Sequence, residues 1–132
     1  MPTKDSIVII PALKDGASQQ PIPSLWRPVF REVLIAFAKG DYLIKEGILG
    51  VETISPELAA AIEWNMASYG AKLIELSEET WGSSVCMWYG GYWDALVDLW
   101  TLEEGPSDLI LSSRVIEGNS GPSFAVTGVY VP

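Results

Sequence analysis

Residues 86–100 read CMWYGGYWDALVDLW, and this stretch decides which fold the chain can adopt. As a strand, 92–100 divides into two faces, with Trp93, Ala95, Val97 and Leu99 on one and Tyr92, Asp94, Leu96, Asp98 and Trp100 on the other. As a helix, the same segment groups Trp93, Leu96, Val97 and Trp100 equally well, with both aspartates outside. The flanking segments favour the strand, because they also alternate between apolar and polar residues.

Alternating segments separated by turn sequences surround this stretch. Strands are predicted at 71–76, 85–89, 108–116 and 124–131, with a polar loop at 77–84, a hairpin loop at 103–108 and a turn at 117–123. The three long strands follow one another through short turns. This arrangement predicts an antiparallel meander.

Two helices precede the predicted sheet. In 26–39, apolar residues recur at helical spacing, with Ser24 as the expected N-cap and Gly40 as the stop; the stripe consists of Trp26, Phe30, Val33, Leu34 and Phe37. The segment 56–69 has the clearest helix signals, since Ser55 precedes a first-turn proline and Gly70 follows the last turn. Trp64 lies off the apolar stripe of that helix.

The predicted fold class is therefore α+β, with two N-terminal helices packed on a curved antiparallel meander sheet. By analogy, it is similar to the cystatin-like and nuclear-transport-factor-like cone folds, which host both enzymes and binding modules. Residues 1–24 are predicted to be an extension or linker with one short strand at 7–10. Residues 25–132 are predicted to form a single domain.

Charge is distributed unevenly along the chain. The net charge is −9; residues 1–72 hold eight acids and seven bases, whereas 73–132 hold nine acids and one base. An acidic surface repels nucleic acid and attracts a basic protein partner. No apolar run reaches the roughly 20 residues that span a bilayer, and no signal peptide is expected. We therefore predict a cytoplasmic protein that binds neither nucleic acid nor membrane.

The residue types exclude much catalytic chemistry. The chain has one cysteine, Cys86, and no histidine, which removes the commonest general base and metal ligand. No phosphate-binding or dinucleotide-binding motif occurs, so no cofactor is predicted. No calcium-loop spacing connects Glu78, Glu79, Glu103 and Glu104, so no metal site is predicted either. Asp94 and Asp98 are the remaining carboxylate pair, and on one strand they stand about 13 Å apart.

Residues 81–100 resemble a small uncharacterised bacterial domain family whose members share the core W-x-x-S-V-C-x-W-x-G-G-Y-W-D-x-L-V-D-L-W. The likeness covers about residues 25–132. Some members of that family lie near polymorphic toxin systems, where small acidic proteins act as immunity factors. The resemblance carries no catalytic residues over to this chain.

Three hypotheses on function follow. The first is a non-enzymatic, acidic protein-binding module, whose most specific form is an immunity-type protein that neutralises a cognate toxin domain. Its predicted partner-binding residues are Glu78, Glu79, Trp81, Trp88, Tyr92, Asp94, Asp98 and Trp100. The second is a small-ligand-binding or catalytic domain that uses Asp94 or Asp98 in a cavity wall. The third is a structural homodimer that buries the uncovered sheet face.

Overall fold

The computed structural model describes residues 9–132, which form two helices and one five-stranded sheet. The helices are α1 (Arg27–Ala38) and α2 (Pro56–Tyr69), and the strands are β1 (Gln20–Pro21), β2 (Val85–Trp88), β3 (Trp93–Thr101), β4 (Gly105–Ile116) and β5 (Ser123–Tyr130). Two 3₁₀ helices lie at Ser24–Trp26 and Glu78–Gly82. Among these residues, no helix is both long and apolar enough to cross a membrane.

The strands form an open antiparallel sheet in the order β1-β2-β3-β4-β5. The predicted α+β class and the meander are thereby confirmed. Segment 93–101 is a strand, as its neighbours indicated, and Trp93 pairs with Val115 of β4. Register shifts after Asp98 in β3 and after Ser112 in β4 interrupt the regular pairing. Such bulges bend and twist a sheet.

The second helix follows its sequence signals closely. The Ser55 hydroxyl accepts a hydrogen bond from the Leu58 amide at 3.1 Å, and Gly70 ends the helix with φ of 81°. The predicted bounds and both caps of α2 are therefore confirmed. Glycine suits the last position because other residues pay a steric cost at positive φ.

The first helix is confirmed, but its predicted N-cap is wrong. Ser24 begins the 3₁₀ helix that leads into α1, and its hydroxyl accepts a hydrogen bond from the Ile10 amide at 2.8 Å. The residue that precedes α1 is Trp26, which makes no side-chain cap. The serine side chain is thus engaged by the preceding segment rather than by the helix.

Two local predictions between α2 and β2 are wrong. Segment 71–76 forms no strand and has only one isolated bridge, between Leu73 and Thr101. Segment 77–84 is not a simple polar loop, since it contains the 3₁₀ helix that buries Thr80 and Trp81. Both segments are organised by contacts with the far end of β3, which short-range patterns do not reveal.

The N-terminal segment is joined to the sheet and the core. Of the strand predicted at 7–10, residues 7 and 8 lie outside the described residues, and residues 9 and 10 belong to no strand. Strand β1 pairs with β2 through Gln20 and Pro21, and Ile22 is fully buried. The Trp93 indole donates to the Leu13 carbonyl at 2.8 Å. These contacts attach residues 13–22 to the domain.

The core lies between the helices and one face of the sheet. Aromatic edges meet there: the Trp26 and Trp93 ring centroids are 5.3 Å apart, and those of Phe30 and Phe124 are 5.4 Å apart. Leu111 at the centre of the sheet is fully buried. Part of the aromatic stretch at 86–100 therefore lies in the core, and the rest of it lies on the side of the sheet away from the helices.

Candidate functional site

The side of the sheet away from the helices is the main candidate surface, and we call it the outer face. Alternation along β3 and the pairing with its neighbours assign each side chain to one side. The buried core cluster contains none of the outer-face side chains. On the strands, the outer face includes Val85, Met87, Asp94, Leu96, Asp98, Trp100, Ile110, Ser112, Arg114, Ile116, Ala125, Gly128 and Tyr130, and the Tyr92 ring lies on the same side, beside Arg114.

Aromatic rings lie close to the sheet on the outer face. A Cβ atom added to Gly128 would stand 3.2 Å from the Tyr130 ring, so the ring packs directly over the glycine backbone. The Trp100 ring approaches Gly105 in the same way, at 3.6 Å. Ile110 is only 5% exposed, although it does not belong to the core cluster. The outer face therefore has an apolar, closely packed floor.

A charged cluster interrupts this floor near the start of β3. Asp94 and Arg114 are directly opposite each other on β3 and β4, but the Arg114 guanidinium carbon lies 4.5 Å from the Tyr92 ring centroid. Among residues 9–132, the ion pairs are Lys14–Glu117 and Arg31–Glu78, so Arg114 forms none. Burial raises the pKa of Asp94, and the Arg114 charge opposes that rise. The Asp94 carboxylate is thus partly desolvated without a direct ion-pair partner.

Asp98 is fixed by its backbone at the register shift. Its amide donates to the Ser84 hydroxyl at 2.9 Å, and its carbonyl accepts from the Thr80 hydroxyl. The Asp98 side chain therefore projects from a part of β3 that does not pair with β2 and whose backbone is bonded by Thr80 and Ser84 instead. Four residues of extended chain separate it from Asp94, which places the two residues about 13 Å apart.

The edges of the sheet are less available than its outer face. At β5, the Phe124 amide donates to the Gly50 carbonyl at 2.8 Å, and the Asn65 amide group donates to the Val129 carbonyl at 2.9 Å. At the other edge, β1 pairs with β2, and Thr80 and Ser84 bond the backbone of β3. Edges that are very short, like β1, or covered, like β5, hinder pairing with a strand from another chain. Recognition on the sheet would therefore use side chains of the outer face.

Three predicted partner-binding residues lie away from the outer face, beside α1. Glu78 forms an ion pair with Arg31 of α1, and Glu79 is exposed in the same 3₁₀ helix. A partner-binding role for Trp81 would need an exposed ring, but Trp81 is buried and only 5% exposed. The guanidinium carbons of Arg27 and Arg31 lie 5.4 and 5.6 Å from the Trp81 ring centroid. Trp81 joins the 3₁₀ helix to α1 and offers little surface to a partner.

Trp88 lies on the inner side of the sheet. It is half-buried, its ring centroid is 4.6 Å from that of Trp93, and the Lys14 ammonium stands 5.3 Å from the ring centroid. Of the eight predicted residues, the structure brings together Tyr92, Asp94, Asp98 and Trp100 on the outer face. The apolar part of this face on β2, β4 and β5 was not predicted as a site, because the pairing register was unknown.

Cavity-based chemistry has less support at the two aspartates. In the part of the chain that the structure describes, five surface concavities are lined by residues from 32–73, 109 and 130–131. Neither Asp94 nor Asp98 lines any of these five. No group of three or more acidic or cysteine side chains gathers to hold a metal ion within residues 9–132. The ligand-binding alternative stays a prediction.

Comparisons with known proteins identify a family but no characterised relative. A search of curated proteins and a search of solved structures each found no match for the chain. Residues 34–132 match the family model described as a domain of unknown function (DUF7668), which covers α1 from Leu34 onward, α2 and strands β2–β5. The chain therefore belongs to the DUF7668 family.

Proposed function

We propose that this protein is an acidic protein-binding module whose outer sheet face receives a basic partner. The observation that carries the proposal is the combination, on one open sheet face, of an apolar floor with the carboxylates of Asp94 and Asp98. Within residues 9–132, neither carboxylate forms an ion pair. Half-buried acids without partners favour the approach of cationic groups.

The apolar floor would supply most of the affinity. Large aromatic side chains near the centre of an interface commonly account for much of its binding energy. Trp100 is half-buried on the outer face and rests against the backbone at Gly105, so its position is set before a partner arrives. A side chain that is already ordered loses less conformational entropy on binding.

In its most specific form, the proposal is an immunity-type protein that neutralises a cognate bacterial toxin domain. The resemblance of residues 81–100 to a family found near toxin systems supports this form. The excess of eight acids over bases in residues 73–132 supports it as well, since a strong field accelerates encounter with a basic enzyme. A toxin domain that binds nucleic acid would have such a basic surface.

The experiment begins by capturing partners from the native host with the purified full chain, followed by kinetics with the isolated partner. Trp100→Ala is expected to accelerate dissociation by about thirtyfold, the equivalent of about 2 kcal/mol at a central aromatic residue. The double change Asp94→Asn and Asp98→Asn is expected to slow association several-fold at low salt. Near 1 M salt, where the Debye length is about 3 Å, that difference should shrink.

Leu49→Ala is the matched control, because Leu49 is 98% exposed and lies outside the sheet. It should leave both rate constants unchanged. An acidic partner would contradict the proposal. So would a basic partner whose rate constants are unchanged by Trp100→Ala and by the double change Asp94→Asn and Asp98→Asn. The immunity form is tested separately: expression of the partner alone should arrest growth, and the wild-type chain should relieve the arrest better than Trp100→Ala.

A further inference from the structure

We infer that the solvent-facing side of α2 is a self-association surface that joins two copies of this chain through Trp64. This surface is distinct from the outer sheet face and leaves that face open to the partner proposed above. The Trp64 side chain is 73% exposed, which makes it the most exposed aromatic residue among residues 9–132. Tryptophan is among the residues that most often carry the binding energy of an interface, so an exposed indole beside a groove is a candidate anchor.

The position of Trp64 on the helix explains why it stays outside the core. The buried residues of α2 are Ala59, Ile62 and Met66, and they lie on the opposite side of the helix. Trp64 therefore cannot reach the sheet without rotating the whole helix. Its neighbours one turn away are the exposed residues Ala60 and Ala67, which allow another chain to approach closely.

A groove runs beside Trp64, along the same side of α2. Two adjoining concavities form it, of about 430 and 830 Å³, and both are open to solvent. Ala60 and Ala67 line its α2 wall, and Tyr42 lines the facing wall. A projecting ring and a receiving groove thus lie on one patch. Such a patch is self-complementary, since a two-fold axis can place each ring in the groove of the other copy.

The ring and the groove on one patch point to a second copy of this chain as the occupant, and local charge permits it. Two chains of net charge −9 repel each other overall, and that repulsion is weaker where the contact surfaces are not acidic. The groove lining contains three of the eight bases of the chain and two acids: Lys39, Lys45, Lys72, Asp41 and Glu63. Its local charge is +1, which contrasts with the acidic C-terminal half.

Sedimentation equilibrium on the full chain tests this inference across a wide concentration range. The wild type is expected to reach the mass of two copies, and Trp64→Ala to raise the dissociation constant at least about tenfold. Ala60→Glu, which adds an acid to the groove wall, should weaken association as well. Far-UV circular dichroism should show that both variants keep the wild-type helix and strand content, since both sites are exposed.

Trp100→Ala serves as the matched control, because it truncates a tryptophan on the outer sheet face. It should leave the dissociation constant for self-association unchanged. A chain that is still monomeric at about 1 mM, the weak end of specific association, would overturn the inference. So would a dimer that Trp100→Ala dissociates and Trp64→Ala does not, since that result would place the two-fold contact on the sheet.

Discussion

Replacing Trp93 tests whether the aromatic stretch at 86–100 is anchored in the core. The Trp93 side chain is 2% exposed, and its ring meets those of Trp26 at 5.3 Å and Trp88 at 4.6 Å. Trp93→Ala should lower the free energy of unfolding by about 3–5 kcal/mol, the usual cost of deleting a large buried aromatic side chain. Because small domains are stable by only about 5–15 kcal/mol, this loss is a large fraction of the total.

Trp93→Phe separates the hydrogen bond from the packing. It keeps an aromatic ring and removes the indole N–H that donates to the Leu13 carbonyl. That carbonyl still accepts from the Gln20 side-chain amide at 2.6 Å, so it is not left unpaired. The expected loss is therefore about 1–2 kcal/mol, which combines one hydrogen bond with a small packing defect.

Urea unfolding monitored by far-UV circular dichroism measures both changes without relying on tryptophan fluorescence. With a denaturant slope of about 2 kcal/mol per molar, Trp93→Ala should lower the midpoint by roughly 2 M. Leu49→Ala, at a residue 98% exposed, should change the free energy of unfolding by no more than about 0.5 kcal/mol. A Trp93→Ala loss below about 1 kcal/mol, or equal losses for both Trp93 variants, would refute the reasoning.

Two further predictions concern titrating groups. Burial raises the pKa of the Cys86 thiol to about 12. A thiol reagent at neutral pH should therefore modify Cys86 only as fast as the chain unfolds. Fast labelling of the folded chain would contradict the burial of Cys86. Burial also raises the folded-state pKa of Asp94, so its ionised form lowers stability once the pH exceeds the unfolded value of about 4. Urea unfolding from about pH 3 to pH 7 measures the free energy of unfolding of Asp94→Asn and of the wild type. The stability of Asp94→Asn relative to the wild type should increase as the pH rises. A decrease over the same range would show that folding lowers the pKa of Asp94 instead of raising it.

Local signals determined the regular elements of this protein. A serine cap, a first-turn proline and a terminal glycine were enough to fix α2, because each satisfies or interrupts backbone hydrogen bonds within one turn. Alternation likewise assigned Asp94 and Trp100 to the side of β3 opposite Val97. The α+β class followed from the order of these elements, and residues Tyr92, Asp94, Asp98 and Trp100 were correctly placed together.

Contacts between distant segments determined what local patterns could not. Thr80 and Ser84 bond the backbone of β3, and this contact turns an apparent polar loop into a 3₁₀ helix that buries Trp81. Isolated local propensity carries no information on such a partner. The same reason accounts for the wrong strand at 71–76, whose isolated bridge at Leu73 meets only the end of β3.

The candidate surfaces also depend on tertiary structure. From the sequence it follows that 92–100, as a strand, has two different faces and that 73–132 carries nearly all the net charge. Only the packed sheet decided which face the helices cover and which side chains of β2, β4 and β5 stand beside Asp94. Strand register fixes those neighbours, and the bulges after Asp98 and Ser112 change it in ways that alternation along a single strand cannot encode.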